Sequence, residues 1–400
     1  MSSGTSFKIF AKRAITPHYL GPLVLTIADG RIEKVDKLDN KKKPNLTDSK
    51  KIINLDDGYL APGFVDIHAH GAVGYDTMCA NISALSAITR FHLTGGTTSI
   101  VLSTVSASEQ EITTVLNTVK GVAGRSLGGS RILGVHLEGP YLASNKSGAH
   151  NKEQLRTPQR KEWQKYLKFH DIITQITIAP ELDGAIPFIR CATEHGILMS
   201  IGHTDALEPT LKKAYDAGAR HATHVFNAMG GMVKNGPFRI AGAIEFCLAT
   251  DGLCCELIAD GIHVPPTVMK LLFKAKSRDD ICLITDAMAG AGMKAGTVFK
   301  AGGTSALSAI VTKDVAMTSD RTALSGSILT MIEAVKRAVT LCGVSIQDAV
   351  HMASLVPARQ IRKDNDIGSI QPGKMADLVW FDDEFSIKGV WLGGDLLYLT

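Results

Sequence analysis

Histidine and carboxylate residues recur along this chain at the ends of short apolar segments. His68 and His70 close the segment GFVDIHAHG, and Glu138 closes RILGVHLE. Four further apolar segments end in or just before His203, His224, His263 and Asp286. Imidazole and carboxylate are ligands that zinc and iron accept, and none of the seven cysteines falls at these positions. The set therefore predicts a site for divalent metal ions.

The spacing of His68 and His70 strengthens this prediction. Side chains alternate between the two faces of a strand, so both imidazoles point to the same side and can share one cation. Taken alone, the pair is also consistent with buried structural histidines, but the matching residues on other segments favour ligands. Asp286 follows the apolar run ICLIT, where a charge is costly unless it is paired or catalytic. The alternative is that Asp286 caps the next helix.

The segments that carry these residues have the character of buried strands. Eight of them follow one another from Gly63: GFVDIHAHG, TTSIVLSTVS, RILGVHLEGP, ITQITIAPE, GILMSIGHTD, RHATHVFNA, CCELIADGIHV and ICLITDAMAG. Amphipathic stretches lie between them; Ser108 and Glu111 fit a capping box, and Thr157 with Pro158 fits a helix start. Apolar strands alternating with helices indicate a parallel sheet buried on both faces. We therefore expect a (β/α)8 TIM-type barrel, whose active sites lie at the carboxyl ends of the strands.

The two ends of the chain have a different character. Residues 5–60 predict short strands, with Asp29 and Gly30 as a hairpin turn. Residues 327–342 predict a helix, and two strand-like segments, GKMADLVWFD and FSIKGVWLGGDLL, follow it. These patterns predict an α/β fold in which residues 61–359 form the barrel. Residues 1–60 and 360–400 would together form a small β-sandwich domain.

Composition narrows the class of protein. Lysine plus arginine number 43 and aspartate plus glutamate 39, a surplus too small to predict nucleic-acid binding. No run approaches the roughly twenty apolar residues of a membrane span, and the first residues have no apolar signal segment, so we expect a cytoplasmic protein without membrane contact. The seven cysteines form no CxxC pair, which argues against both disulfides and a zinc ribbon.

Several motifs carry a family resemblance that spans nearly the whole chain. APGFVDIHAHG and GKMADLVWFD resemble the amidohydrolase superfamily. HLEGP, SGAH, HVFNAM and ADGIH, in that order, resemble the N-acetylglucosamine-6-phosphate deacetylase family within it. The resemblance implies hydrolysis of N-acetylglucosamine 6-phosphate to glucosamine 6-phosphate and acetate, with one or two divalent ions, Zn or Fe, in a homodimer. The alternatives are the N-acetylgalactosamine 6-phosphate epimer, another small amide, or a metal-free scaffold barrel.

The resemblance also implies roles for individual residues. Glu138, His203 and His224 would bind the first ion, and His68 and His70 a second ion that is bridged by Glu138. Asp286 would be the catalytic acid and base. The residues implied in substrate binding are Ala149, His150, Asn227, Ala228, Asp260, His263, Leu324, Ser325 and Gly326.

One departure from the family pattern concerns the phosphate. The family usually has an arginine eleven residues after the histidine of HVFNAM, but position 235 is asparagine here. The nearest cations are Lys234 and Arg239. Since arginine grips phosphate with a bidentate fork and lysine acts as a point charge, we expect Arg239 to compensate. It would act from its own loop or across the dimer interface.

Overall fold

A parallel barrel forms the larger part of the molecule. The computed structural model describes residues 6–38, 52–302 and 307–400. Its eight parallel strands are β1 (Phe64–Ala69), β2 (Thr97–Ser103), β3 (Arg131–Glu138), β4 (Ile173–Ile178), β5 (Leu198–Ile201), β6 (His221–Ala222), β7 (Cys254–Ile258) and β8 (Ile281–Ile284). Each strand pairs with the next. β8 approaches β1 where the Asp286 N–H donates to the His68 carbonyl at 2.8 Å. The predicted fold class is confirmed.

A helix follows each barrel strand. These helices are α1 (Ile82–Thr94), α2 (Glu109–Lys120), α3 (Arg160–Tyr166), α4 (Ala185–Glu194), α5 (Glu208–Asp216), α6 (Ala243–Ala249), α7 (Pro266–Ala275) and α8 (Met331–Cys342). The predicted capping box of α2 is present, since Ser108 and Glu111 bond reciprocally. The predicted start of α3 at Pro158 is wrong, because the helix begins at Arg160 with Gln159 as its N-cap. The backbone N–H of Arg156, just before the predicted start, instead donates to the Pro140 carbonyl at 3.1 Å and so ties this segment to the loop after β3.

α8 also begins later than predicted, at Met331 instead of Ser327. The Ser327 N–H donates to the Asp286 carbonyl at 2.9 Å, and its hydroxyl donates to the Thr285 carbonyl at 2.5 Å. These bonds draw Ser327 alongside the end of β8 and away from the helix. No helix starts directly after Asp286 among the described residues, so the alternative of a capping role for Asp286 is wrong.

A second sheet combines both ends of the chain. Its strands are Phe7–Thr16, Tyr19–Ala28, Arg31–Lys37, Ile52–Leu55, Tyr59–Pro62, Leu378–Phe381, Ile387–Leu392 and Asp395–Leu399. Asp29 and Gly30 have φ angles of 50° and 75°, so the predicted hairpin turn is confirmed. Tyr59–Pro62 pairs with Leu378–Phe381 and so joins the two ends of the chain. The predicted boundaries at 60/61 and 359/360 stay predictions.

Shorter elements complete the described chain. The other α-helices are α9 (Ile346–Ala353) and α10 (Leu355–Gln360). The remaining strands are Gly71–Ala72, Tyr75–Asp76, Val233–Asn235, Phe238–Ile240, Val298–Ala301, Leu307–Val311 and Ala316–Thr318. The short 3-10 helices are Thr77–Cys79, Ser144–Lys146, Lys152–Gln154, Leu167–Phe169 and Arg278–Asp280.

Two apolar cores hold these layers together. The barrel core reaches the second sheet, where Phe64 of β1 belongs to the same buried cluster as Val379 and Phe381. The sheet has a separate core that includes Leu25 and Trp391. All seven cysteines are free thiols, and four of them are buried. Among the described residues, no helix combines the length and apolar character needed to cross a membrane.

Candidate active site

A single carboxylate lies at the centre of the predicted cluster. Glu138, the last residue of β3, places Oε1 3.0 Å from His224 Nε2 and 3.2 Å from His203 Nε2. Its other oxygen, Oε2, lies 3.2 Å from His70 Nε2. Three strand ends thus converge on one side chain, as expected for a barrel rim.

The His-x-His pair faces the same centre. His68 Nε2 lies 3.2 Å from His70 Nε2, so both rings point to one side of β1 as the alternation predicts. Asp286 Oδ1 lies 3.2 Å from His70 Nε2 and 3.6 Å from His68 Nε2. The ligand atoms of His68, His70 and Glu138 all lie within 4.8 Å of one another, which is close enough to hold a metal ion.

The electrostatic setting keeps the central carboxylate charged. Burial acts to raise the pKa of Glu138, but His68 and the hydrogen-bonded His150 hold that pKa well below its ordinary value. Burial likewise opposes ionisation of Asp286, and the contact with His70 lowers its pKa. Two anionic carboxylates surrounded by imidazoles form a donor set suited to a divalent cation.

Hydrogen bonds fix which ring nitrogen can bind a cation. His203 Nδ1 lies 2.7 Å from the Lys146 carbonyl, and His68 Nδ1 lies 2.9 Å from Glu256 Oε2. Both partners are acceptors, so Nδ1 carries the proton in each ring. Nε2, which faces Glu138 in both rings, is therefore the nitrogen that would bind a metal ion. The residues present fit a metal centre.

His150 lies beside this set but has the opposite tautomer. Its Nδ1 accepts a hydrogen bond of 3.0 Å from the Ser106 N–H, so a neutral ring carries its proton on Nε2. That nitrogen lies 3.2 Å from Glu138 Oε2 and acts as a donor. The ligand atoms of Glu138, His150 and His203 lie within 4.8 Å of one another, so this group could also hold a metal ion, and the substrate-binding role of His150 stays a prediction.

Comparison with known proteins identifies the family of this chain. The model of the amidohydrolase family matches residues 59–397. The chain belongs to the amidohydrolase family. This amidohydrolase is 38% identical to an N-acetylglucosamine-6-phosphate deacetylase of Bacillus subtilis over 94% of the chain and 92% of the relative. It is 32% identical to an N-acetylgalactosamine-6-phosphate deacetylase of Escherichia coli O157:H7, over 96% and 98% of the two chains.

A solved structure extends the comparison to three dimensions. It is an N-acetyl-D-glucosamine-6-phosphate deacetylase variant of Mycobacterium smegmatis in complex with N-acetyl-D-glucosamine-6-phosphate. The TM-score is 0.89 at 28% identity, with 99% of this amidohydrolase and 100% of that chain covered. The similarity thus includes both the barrel and the second sheet.

A cavity opens above the cluster in this amidohydrolase. Most of the residues expected to bind substrate line it: Ala149, His150, Asn227, Ala228, His263, Leu324, Ser325 and Gly326. Gly302 and Leu307, next to and within the three-stranded sheet of residues 298–318, also line the cavity. The sequence patterns did not predict these two residues, since neither has a side chain with distinctive chemistry.

Asp260 contacts His263, which lines the cavity. Its Oδ2 lies 2.6 Å from His263 Nδ1, and its Oδ1 accepts the backbone N–H of His263 at 2.8 Å. His263 Nε2 is buried and has no protein partner, and the ring lines the cavity. Asp260 therefore orients a ring whose second nitrogen is available to a ligand.

Arg239 lies apart from the other predicted residues. It belongs to the exposed hairpin of Val233–Asn235 and Phe238–Ile240, directly opposite Lys234 in the pairing register. Neither cation is among the residues that line the cavity. The role expected for Arg239 stays a prediction.

The backbone bends sharply where the strands deliver their side chains. The backbone φ angles of His203, His224 and Asp286 are 48°, 27° and 50°. Residues other than glycine rarely adopt such positive values. Such conformations concentrate at functional sites, where the surrounding structure enforces them.

Sequence reasoning missed Glu256 on β7. Its side chain is fully buried beneath the cluster and contacts His68, His221, Gln175 and the backbone of His224. The available signal was an acidic residue inside the apolar strand CCELI. His221 belongs to the same network.

Proposed function

We propose that this amidohydrolase removes the acetyl group from N-acetylglucosamine 6-phosphate, giving glucosamine 6-phosphate and acetate. One observation carries the proposal: the imidazoles of His68, His70, His203 and His224 converge on Glu138 and the nearby Asp286, directly below the cavity. The named deacetylase relatives, similar over nearly the whole chain, support it.

The proposal includes a metal centre of one or two ions, either zinc or iron. Glu138, His203 and His224 would hold the first ion, and His68 with His70 would hold a second ion that shares Glu138. A bound divalent ion lowers the pKa of water towards about 7 and polarises a carbonyl oxygen.

Asp286 is the residue placed to move protons. Its carboxylate lies at the rim, between the His-x-His pair and the cavity. We assign to it the acceptance of a proton from the attacking water. The same proton then passes to the sugar nitrogen as the C–N bond breaks, so one group serves as both base and acid.

Two histidines would hold the sugar phosphate. His150 lines the cavity beside Glu138, and Asp260 orients His263 towards the cavity. The backbone near Gly326 and the side chain of Asn227 line the same space. Together these groups would position the acetamide above Glu138.

The phosphate contact, the homodimer and the cytoplasmic location belong to the same proposal. Arg239 would reach the phosphate by movement of its hairpin or from a second copy of the chain. Its exposed guanidinium, close in sequence to Asn227 and Ala228 of the cavity wall, supports this assignment.

The direct test is acetate release by the purified protein. Rates are measured with zinc or ferrous iron on N-acetylglucosamine 6-phosphate and on unphosphorylated N-acetylglucosamine, before and after removal of metal with a chelator. We expect turnover of the 6-phosphate that the chelator abolishes and added metal restores. Absence of acetate release from the 6-phosphate with either metal would overturn the proposal.

The galacto epimer is the second candidate substrate. A relative of 32% identity that covers nearly the whole chain is named an N-acetylgalactosamine-6-phosphate deacetylase. The two epimers differ only in the orientation of one hydroxyl group at C4. A higher kcat/KM for the galacto substrate in the same assay would replace the first candidate by the second.

A further inference from the structure

Glu256 is a carboxylate buried inside the barrel, below the predicted ligands. It lies on β7 and its side chain is fully buried. Its oxygens face two imidazole rings, a side-chain amide and a backbone N–H. A buried charge of this kind is costly unless its oxygens are fully paired.

Both oxygens of Glu256 are paired with donors from other strands. Oε2 lies 2.9 Å from His68 Nδ1 and accepts the His224 N–H at 3.1 Å. Oε1 accepts the side-chain amide of Gln175 at 2.8 Å and lies 3.1 Å from His221 Nε2. Only an ionised carboxylate offers acceptor sites for four donors at once. One side chain therefore links β1, β4, β6 and β7.

Two of these four bonds reach groups of the proposed metal centre. The bond to His68 holds the proton on Nδ1 and turns the Nε2 lone pair towards Glu138. The bond to the His224 N–H fixes the backbone of that residue. Its φ of 27° is unfavourable for any residue other than glycine. Glu256 touches neither the cavity nor the acetyl group's expected position.

We propose that Glu256 is a positioning residue for the metal centre, which sets the affinity for divalent ions by orienting His68 and anchoring the His224 backbone. The inference rests on the metal centre of the proposed function. Partners that accept a hydrogen bond from the other ring N–H of a ligating histidine fix its orientation and raise its basicity, and their loss costs about 10- to 100-fold in metal affinity.

A purely structural role predicts different behaviour, and Asp66 supplies the matched control. Asp66 is also a fully buried carboxylate that links strands, since Oδ2 accepts the Thr285 hydroxyl at 2.6 Å and Oδ1 accepts the His68 N–H at 3.2 Å. Among the described residues, its hydrogen bonds are to backbone N–H and hydroxyl groups, with none to an imidazole ring. Asparagine keeps one oxygen that can accept the His68 N–H, so the replacement disturbs the barrel without removing the partner of an imidazole ring.

The two substitutions of Glu256 differ in whether an acceptor oxygen remains for His68 and His224. Glu256→Ala leaves His68 Nδ1 and the His224 N–H without their acceptor. Glu256→Gln keeps one carbonyl oxygen, which can remain on the side of His68 and His224. Its amide group would then face the side chain of Gln175, which can rotate, and the ring of His221.

The experiment measures metal binding apart from catalysis. Full-length wild-type, Glu256→Ala, Glu256→Gln and Asp66→Asn proteins are stripped of metal, checked by circular dichroism and titrated with Co²⁺, following the visible absorption of the bound ion. Bound metal is counted by elemental analysis. Acetate release by the wild-type protein is measured in parallel.

We expect the Co²⁺ dissociation constant to rise about 10- to 100-fold in Glu256→Ala and by a smaller factor in Glu256→Gln. Asp66→Asn should lose thermal stability but keep an affinity close to wild type. The inference is overturned if Glu256→Ala binds Co²⁺ as tightly as wild type. It is also overturned if Asp66→Asn loses as much affinity as Glu256→Ala.

Two further outcomes keep the test decisive. If Glu256→Ala does not fold, Glu256→Gln decides alone, and wild-type affinity in a folded Glu256→Gln protein that gives the wild-type Co²⁺ spectrum overturns the inference. If the wild-type protein binds no metal or releases no acetate, the proposed function fails, irrespective of Glu256.

Discussion

The two ends of the proposed substrate meet very different parts of this molecule. The cluster that would act on the acetamide is buried at the strand ends, and His68 has no exposed surface. The hairpin that carries Arg239 lies outside, and 73% of the neighbouring Phe238 is exposed. The strand ends are held in place by the barrel, whereas the two strands of the hairpin pair with each other at three positions. The residues proposed to catalyse the reaction are therefore held rigidly, and the residue proposed to contact the phosphate can change without disturbing them.

The largest effect should come from the shared carboxylate. Glu138→Ala removes a group common to both proposed ion sites, so both ions should be lost. The fall in kcat/KM should exceed the roughly 10²–10⁴-fold cost of losing a general acid or base. Elemental analysis counts ions per chain. His70→Ala is the comparison, since it leaves Glu138, His203 and His224 intact, and full metal retention by Glu138→Ala would contradict the shared site.

Asp286→Asn should separate catalysis from metal binding in the buried region. The amide cannot transfer the proton, so kcat should fall about 10²–10⁴-fold. Glu138 and the histidines remain in place, so the metal content should stay near wild type. Single-turnover acetate release and elemental analysis check both parts. A variant with a near wild-type rate would remove Asp286 from the mechanism.

The hairpin should influence binding and leave the chemistry unchanged. Arg239→Ala should raise KM for the 6-phosphate about 10- to 150-fold, equivalent to about 1.5–3 kcal/mol for a hydrogen bond to a charged group. Turnover of the unphosphorylated sugar should be nearly unchanged. Steady-state kinetics on both substrates measure this difference.

Lys234→Ala is the matched control, because Lys234 lies opposite Arg239 in the same hairpin. If Lys234→Ala gives the larger effect on KM, lysine is the compensating cation. If neither variant changes KM for the 6-phosphate, the substrate is not a sugar phosphate.

The smallest effect should be on stability in the hairpin. Phe238→Ser should change the free energy of unfolding by no more than about 0.5 kcal/mol, as at most exposed positions. Phe188→Ala in α4 should cost about 3–5 kcal/mol, because Phe188 is fully buried and stacks on Trp163. Urea unfolding of metal-free protein compares them. A loss above 1 kcal/mol for Phe238→Ser would show that this residue is packed in the folded state.

Local sequence patterns predicted most of the fold and much of the candidate site. All eight barrel strands lie within the predicted segments, and the alternation of side chains placed His68 and His70 on one face. The errors concern the starts of α3 and α8. There, bonds to distant residues, such as that of the Ser327 N–H to the Asp286 carbonyl, overrode local helix signals.

The sequence by itself determined which residues can carry the chemistry, because strand alternation and capping are properties of adjacent residues. Tertiary structure decided how those residues meet. Ser106, 44 positions before His150, sets the tautomer of that ring, and Glu256 becomes a partner of His68 across 188 positions. Neither contact exists until the barrel closes and brings the strands together. The fold therefore decides which ring nitrogen donates and which accepts, while the sequence decides which side chains are available.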